Sequence, residues 1–570
     1  IKAYHYTDYE NAAEELLELV GKESVYTGHF EEIWNDIELN IVHQSVDSLF
    51  LEQINLWRLI LGQQILTYDS DINIDFLGDI VQSYINKILF LRVCEDRNIE
   101  TYQRLLTIAD HKSHEELVAK FREADNKYNS GLFEELISED IIGNISSSFW
   151  TIIRQLYFPE SPYSFTVLSS DILGRIYEIF LAEKLAIIDG ELKIVKKPEN
   201  AERDIVTTPN FVVREILRQT AVEIIQGKTA NEINNLKCAD IACGSGAFLL
   251  ELYQLLYDSL VDYYLENDRC KLVQTSIDTY KLPYEIKRKL LGNCIYGVDK
   301  DFNAVEACKF GLLLKLLEDE DVNSLSLFHP ILPDLSNNIF YGNSLLNTTD
   351  VPADDALEVN PFDFGDRTFD LIVGNPPYMK TEDIKAFKKK KKPLYEKEYT
   401  SAYKQYDKYF LFIERALNLL KPNGYLGYII PSKFMKVGAA KELRNLIANN
   451  AYLKTMISFG AHQVFADKSN YTCIMVLEKR KRKIFKYSEV SDFIGWRVRD
   501  NNAYKFCNRP SVTINSDTWI LCTDEHLPLL EAITTHAKPL GEIVGNDYIF
   551  NGIQTSANKI YVFIPKSETR

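Results

Sequence analysis

The run Phe369-Asp370-Leu371-Ile372-Val373-Gly374, followed at once by Asn375-Pro376-Pro377-Tyr378, constrains this chain more than any other stretch. The apolar run reads as a buried strand of a parallel sheet. The tetrapeptide then sits at its carboxyl end, where open α/β sheets bind their ligands. Two prolines fix φ and remove two N–H donors, so the loop is stiff and its carbonyls are left as acceptors. An Asn side-chain oxygen, a proline carbonyl and an aromatic ring on one rigid loop suit a planar amine. The oxygens accept from its two hydrogens and draw its lone pair out of conjugation, while Tyr378 stacks on the ring. Four residues alone also describe a stiff turn, so the surroundings decide.

Upstream, Leu236 to Ala242 reads as a strand running into Cys243-Gly244-Ser245-Gly246-Ala247-Phe248, with an apolar helix from Phe248 to Leu260. Small residues after a strand let a cofactor approach the backbone and meet helix N-terminal amides. The spacing is not the dinucleotide fingerprint, and no P-loop Lys follows. A second strand, Cys294 to Val298, ends in Asp299 and precedes a helix from about Phe302 to Leu317. An acid there accepts from ribose hydroxyls. A third strand end falls at Ile339 to Ser344. Each glycine turn is weak by itself, but the ordered set, with the proline loop last, is specific.

This ordered set resembles the S-adenosylmethionine-dependent amino-methyltransferases, specifically the gamma class of adenine-N6 DNA methyltransferases. Within that class it is most similar to the methyltransferase part of type IIG restriction–modification enzymes and to the related BREX phage-defence methyltransferases. The likeness is close from Ile205 to Leu477. It implies an α/β fold: a Rossmann-like methyltransferase sheet with an N-terminal helical domain and the start of a C-terminal mixed α/β target-recognition domain. The boundaries expected are 1–165, 166–486 and 487–570. The resemblance further implies S-adenosyl-L-methionine as cofactor, held by Thr208, Asp240, Ala242, Gly244, Gly246, Asp299, Asn343, Ser344 and Pro377. Many relatives carry Asp where this chain has Asn343; the amide keeps a hydrogen bond to the adenine edge but loses a charged acceptor. Asn375, Pro376 and Tyr378 match the catalytic motif, and Tyr378 and Phe465 the two walls of a target-base pocket. Asp407 to Phe412, Pro431 to Phe434 and Gln463 to Phe465 resemble the later motifs that shape that pocket.

At 570 residues the chain buries a substantial core and reads as three domains. Its nine cysteines include no Cys-x-x-Cys pair, and several lie in apolar runs. This pattern points to reduced, buried thiols in a cytoplasmic protein and not to disulfides or a metal site. Cys243 reads as a small packing residue. No apolar run of about 18 residues is present, so no membrane span is expected, and no signal peptide is visible. The chain opens on Ile1, stops at Arg570 and reads as a piece of a longer protein. A net charge of −18 argues against simple DNA coating. The charge is uneven, however: Lys388, Lys389, Lys390, Lys391 and Lys392 follow the proline loop, and Lys479 to Lys483 follows the last matched strand. A lysine run is by default a solvated loop. Two runs flanking one pocket point instead to a phosphate-contacting rim on double-stranded DNA.

Residues 1 to about 165 read as helical, with Phe76 to Val93 an amphipathic or buried helix and Arg92, Glu95, Asp96 and Arg97 a salt-bridged surface at its end. Asn86 to Arg97 also resembles the connector that joins a nuclease to the methyltransferase in type IIG enzymes, which allows a nuclease or translocase domain or subunit as a further partner. Asp189-Gly190-Glu191-Leu192-Lys193 carries an acid two residues before a Lys, but it reads as a hairpin turn and not as a nuclease site. From about Tyr487 the chain shifts to short strands and loops with Trp496, Trp519 and Tyr548, and Asn551 to Lys559 resembles the opening of a target-recognition domain. Such a domain carries groove readout.

Protein-glutamine and RNA guanine-N2 methyltransferases share the Asn-Pro-Pro-Tyr loop, but they are generally compact, unlike this chain. A DNA-binding scaffold with a degenerate fold would need a broken motif, and none is broken. Cytosine-N4 relatives usually carry Ser in place of Asn375. The reading is therefore a site-specific adenine-N6 DNA methyltransferase in a restriction–modification or phage-defence system, which flips its target base from the duplex.

Overall fold

The structure is a computed structural model, and it describes residues 46–128, 132–133, 139–161, 165, 183–196, 208–379, 391–465, 471–497, 503–538 and 540–545. The amino-terminal part is helical: α1 (Val46–Tyr68), α2 (Ile74–Asp96), α3 (Arg104–His111), α4 (His114–Tyr128) and α5 (Glu139–Arg154). Asn73 caps α2 by accepting from the backbone N–H groups of Asp75 and Phe76. Nearly all of α2 beyond its first turn is buried, so it is the central helix of the group.

A hairpin follows, β1 (Glu183–Ile188) and β2 (Glu191–Lys196), turning at Asp189 and Gly190 with φ of 54° and 80°. Two residues at positive φ make the two-residue turn whose twist matches paired strands. The Asp-Gly pair is accordingly a turn.

The main sheet is built in order from α6 (Asn210–Gln219), β3 (Cys238–Asp240), α7 (Ala247–Asn267), α8 (Tyr284–Cys294), β4 (Ile295–Asp299), α9 (Phe302–Leu316), β5 (Ile339–Tyr341) and β6 (Phe369–Gly374). It continues with α10 (Lys391–Glu398), α11 (Lys408–Leu419), β7 (Leu420–Pro431), α12 (Lys441–Asn449), β8 (Leu453–Ser458), β9 (Thr472–Glu478), β10 (Ile484–Glu489) and β11 (Cys507–Pro510). The strand order is β11-β10-β8-β9-β7-β6-β3-β4-β5. Strands β5, β4, β3, β6 and β7 are mutually parallel, and β9 runs antiparallel between β7 and β8. This is the expected methyltransferase sheet. The chain leaves β3 toward β4 and β5, then returns to β6 on the other side of β3. That reversal leaves a crevice between the carboxyl ends of β3 and β6, where doubly wound sheets hold ligands.

One apolar cluster covers one face of the sheet, with α6, α7, α8 and α9, and runs without a break into the amino-terminal helices. The other cluster holds α11 and α12 on the opposite face. Helix α2 meets α9 directly: Phe90 and Phe310 pack at 6.4 Å, the Arg97 guanidinium donates to the Leu314 carbonyl at 2.8 Å, and the Asn303 amide donates to Asp79 at 2.8 Å.

Two expectations change here. The charged end of α2 is interior: Arg92 and Glu95 are buried. Glu95 accepts from the backbone of Gln103 and Leu105 and from the Tyr157 hydroxyl, and Arg92 pairs with Asp96 and donates to the Leu156 carbonyl. These charges are buried because distant loops bring them partners. The second change is at the boundary expected near Tyr487. It falls inside β10, which pairs parallel with β8, and β11 extends the same sheet. Trp496 and Trp519 are buried among residues of the sheet's two faces. Tyr548 and the Asn551 to Lys559 segment lie outside the described residues.

Candidate active site

The glycine loop follows β3. Gly244 and Gly246 have φ of 52° and 91°, a region that L side chains rarely adopt. A Cβ at Gly246 would lie 2.6 Å from the Cys308 sulfur, whereas Gly244 faces open space. Asp299, at the end of β4, holds this loop: one carboxylate oxygen accepts from Gly244 N–H and the other from Asp301 N–H, each at 2.9 Å. Burial raises the Asp299 carboxyl above the usual range, while those two N–H groups pull it back down. Cys243 packs beneath β4, where a Cβ on Gly297 would come within 3.0 Å of its sulfur.

Asp240 is 2 % exposed. It accepts from Ala242 N–H at 3.0 Å, and burial pushes its carboxyl up to about 8, with Asp299 adding a smaller push. The same carboxylate abuts the end of β6, since a Cβ on Gly374 would stand 2.6 Å from Asp240 Oδ1. Any side chain at Gly374 would thus push the two loops apart. The raised value has a stability consequence. Between 3.8 and about 8 the folded chain keeps a proton that the unfolded chain has released, so this group's contribution falls as pH rises through that window. Asp240→Asn should therefore gain stability on wild type progressively across that window, read by urea unfolding at stepped pH; a constant difference would mean that the carboxyl titrates normally.

At the end of β6 the Asn375 side chain is fixed on two sides. Its Nδ2 donates to Thr208 Oγ1 at 3.1 Å, and its Oδ1 accepts from the Tyr378 hydroxyl at 2.7 Å. That hydroxyl is also 3.0 Å from the Ile429 carbonyl on β7. Burial holds the phenol well above its ordinary value, so it stays protonated as a donor. The Tyr378 ring meets Tyr409 edge-on at 5.9 Å. Pro376 is buried and Pro377 half-buried. The loop's exit is pinned by Asp407, whose Oδ1 accepts from Met379 N–H at 2.9 Å and whose Oδ2 pairs with Lys433 at 2.7 Å. Lys408 N–H closes the same turn onto the Met379 carbonyl at 2.9 Å.

Asn343 and Ser344 follow β5 beside the glycine loop. Ser344 Oγ donates to the Ile241 carbonyl at 2.6 Å, tying the two loops. The Asn343 amide donates to the Tyr395 hydroxyl at 3.2 Å and accepts from Leu345 N–H, so it is turned into α10 and its own loop.

Two of the expected rim lysines have protein partners. Lys391 is 8 % exposed and donates to the Val359 carbonyl, because it shares the inward face of α10 with Tyr395 four residues on. Lys392 pairs with Glu396 at 2.8 Å. Lys388, Lys389 and Lys390 lie outside the described residues. The run Lys479 to Lys483 is on the far side of the sheet: β9 is antiparallel to β7, so its end at Glu478 lies at the amino edge, opposite Asn375. Arg480 and Arg482 there pair with Glu478. Among the described residues Lys433, 40 % exposed, stands beside the exit of the proline loop through its pair with Asp407, and the sequence offered only its place in a matched motif. Phe465 is 3 % exposed, with Val464 in the apolar cluster, whereas Tyr471, next to Pro431 at the carboxyl edge, is 59 % exposed. Among the described residues no helix is long and apolar enough to cross a membrane, and no group of His, Cys, Asp and Glu side chains is arranged to hold a metal ion.

The sheet, the glycine loop after its first strand and the acid after its second define a methyltransferase fold of the S-adenosylmethionine-dependent class. Residues 293–465 match the Eco57I restriction-modification methylase family. Over 564 residues the chain is 50% identical to the type II restriction enzyme and methyltransferase RM.Eco57I of Escherichia coli, spanning 99% of this chain and 56% of that protein. It is 26% identical to the type II methyltransferase M.BstVI of Geobacillus stearothermophilus over 60% of this chain and 58% of that one. The chain thus spans a little over half the length of these curated relatives. The crystal structure of the type IIG restriction endonuclease BpuSI superposes with a TM-score of 0.49 at 15% identity, covering 89% of this chain and 50% of that one.

Proposed function

We propose that this chain transfers a methyl group from S-adenosyl-L-methionine to the N6 amino group of an adenine flipped out of double-stranded DNA, within a restriction–modification system. The observation that carries the reading is the Asn375 amide, set on a proline loop that follows Gly374, the last residue of β6, which packs against the Asp240 carboxyl at the end of β3. Donor and acceptor sites therefore share one crevice.

The residues present fit the cofactor. The Ser245 hydroxyl in the glycine loop is buried without a partner among the described residues, and the buried Asp240 carboxyl is raised, as an acid without a compensating cation would be. Gly244, Gly246 and Ala242 would give the backbone approach, Asp299 the ribose contact, Thr208 a hydroxyl proton to the methionine carboxylate, and Asn343, Ser344 and Pro377 the surround of the adenine. Bound there, S-adenosylmethionine supplies an electrophilic methyl group. Asp299→Ala should weaken its binding about ten- to a hundredfold, the range for a lost hydrogen bond to a charged group. Normal affinity in calorimetry would remove the ribose assignment.

The remaining tasks fall to the protein. The N6 amine is a poor nucleophile while conjugated and paired, and extruding it costs a few kcal/mol. Asn375 Oδ1 and the Pro376 carbonyl, to which no described residue donates, accept its two hydrogens and localise the lone pair. Tyr378 covers one face of the base. Phe465 is assigned the other, base–aromatic stacking being worth about 1–3 kcal/mol per base. Lys433 and the lysines at 388–390 would meet phosphates. The direct test incubates the chain with the cofactor and long mixed-sequence DNA, then analyses the nucleosides. N6-methyldeoxyadenosine is expected; N4-methyldeoxycytidine as the product would overturn the base assignment.

A further inference from the structure

The hydrogen bonds around Asn375 pose a choice. The Tyr378 hydroxyl has one proton and two acceptors in reach, Asn375 Oδ1 at 2.7 Å and the Ile429 carbonyl at 3.0 Å. On its other side the Asn375 amide meets Thr208 Oγ1 at 3.1 Å. A threonine hydroxyl and a phenol each donate one hydrogen bond and also accept. Two amide orientations therefore satisfy every group. In the first, Nδ2 donates to Thr208 and Oδ1 faces Tyr378. In the second, rotated by half a turn, Thr208 donates to Oδ1, Nδ2 donates to the phenol oxygen, and the phenol proton goes to Ile429. Only the first presents an acceptor toward Tyr378, the side on which the target base stacks. The second would aim an N–H at an amine, donor against donor.

We infer that Thr208 is a positioning residue that selects the first orientation, acting through the catalytic Asn375. The inference rests on the proposed reading in which the Thr208 proton serves the cofactor. Once that proton is committed, Thr208 has only lone pairs for Asn375, and the flipped amide loses its partner. Thr208 is buried, so water offers little relief to an unmatched group there. Cofactor binding in this way sets the acceptor that the target amine needs, although the two ligands bind different loops. The Tyr378 hydroxyl yields Oδ1 to the amine and keeps Ile429 as its acceptor, so no buried group is stranded.

The test uses three variants of the whole chain: Thr208→Val, which keeps shape but neither donates nor accepts, Thr208→Ser, which keeps the hydroxyl, and Asn375→Ala. With isotope-labelled asparagine, the Asn375 side-chain amide signal is identified by its absence in Asn375→Ala. Adding S-adenosylhomocysteine, which carries the same carboxylate, should move that signal to one hydrogen-bonded position in wild type and Thr208→Ser and leave it unmoved in Thr208→Val. At saturating S-adenosylmethionine and DNA, Thr208→Val should lower kcat about ten- to a hundredfold, as loss of a buried partner does. Thr208→Ser should restore it, and Thr208→Val should cost nothing further in an Asn375→Ala background. An unmoved wild-type amide signal, or wild-type kcat in Thr208→Val, overturns the inference. A wild-type chain that shows the amide response but transfers no methyl group to DNA overturns the proposed function and leaves the positioning role standing.

Discussion

Asn375→Ala should lower methyl transfer by roughly a hundred- to a thousandfold, the usual cost of deleting one preorganised electrostatic partner of a transition state. The amide oxygen is asked to stabilise positive charge growing on the target amine, and alanine offers nothing in its place. Affinity for S-adenosylmethionine should change little, because Asp299 and the glycine loop are held by bonds that do not include Asn375. The fold should also survive, since the Tyr378 hydroxyl keeps the Ile429 carbonyl as acceptor. Transfer of labelled methyl to DNA, set beside calorimetric cofactor binding, separates the two effects. Turnover near that of wild type would sink the assignment of the loop.

Phe465→Ala should have the largest effect on stability, about 3–5 kcal/mol, as for other buried Phe-to-Ala changes. The ring is 3 % exposed, and the turn that carries it is braced by Phe459 against Trp496 at 4.9 Å and by His462 stacked on Phe493 at 5.6 Å. A residue of the pocket wall alone would leave stability almost unchanged. Burial adds the packing loss. Tyr471→Ala is the matched control, because an exposed ring away from the core should change stability by no more than about 0.5 kcal/mol. Urea unfolding measures the first effect, and 2-aminopurine at the target position in a duplex measures stacking. If Phe465→Ala unfolds at a wild-type urea concentration, the ring is not core. If it is destabilised but leaves the fluorescence unchanged, the second wall is Tyr471.

The parts of the candidate site are local patterns in the sequence. A strand run ending in small residues, a strand ending in an acid and a strand ending in two prolines each need only neighbours in sequence to be recognised. The structure sets those three strand ends side by side, with β3 between β4 and β6. Charge was harder to place. Lys391 and Lys392 look like their neighbours in a basic run, yet the helical turn sends one inward and pairs the other with Glu396. Arg92 and Glu95 look like a surface pair, and only Tyr157, Leu156 and the loop after α2, brought in by the fold, make them interior. The segment after Tyr487 changes composition but joins the same sheet, because backbone pairing is indifferent to side-chain type.

The amino-acid order alone specified which residue types sit at the strand ends, because turn and proline chemistry act over a few bonds. It could not specify the partners across the crevice. Thr208 and Asn375 are 167 positions apart, and the side chain of Asp240 meets Gly374 only because β3 and β6 are adjacent. Nor could it show that Lys479 to Lys483 is at the opposite edge of the sheet from the proline loop, which follows from the antiparallel direction of β9. Strand direction, and which side of the sheet a charge reaches, are settled by hydrogen bonding and burial over the whole sheet. That is a property of the assembled fold, so only the tertiary structure decides where this chain's cations and hydroxyls act.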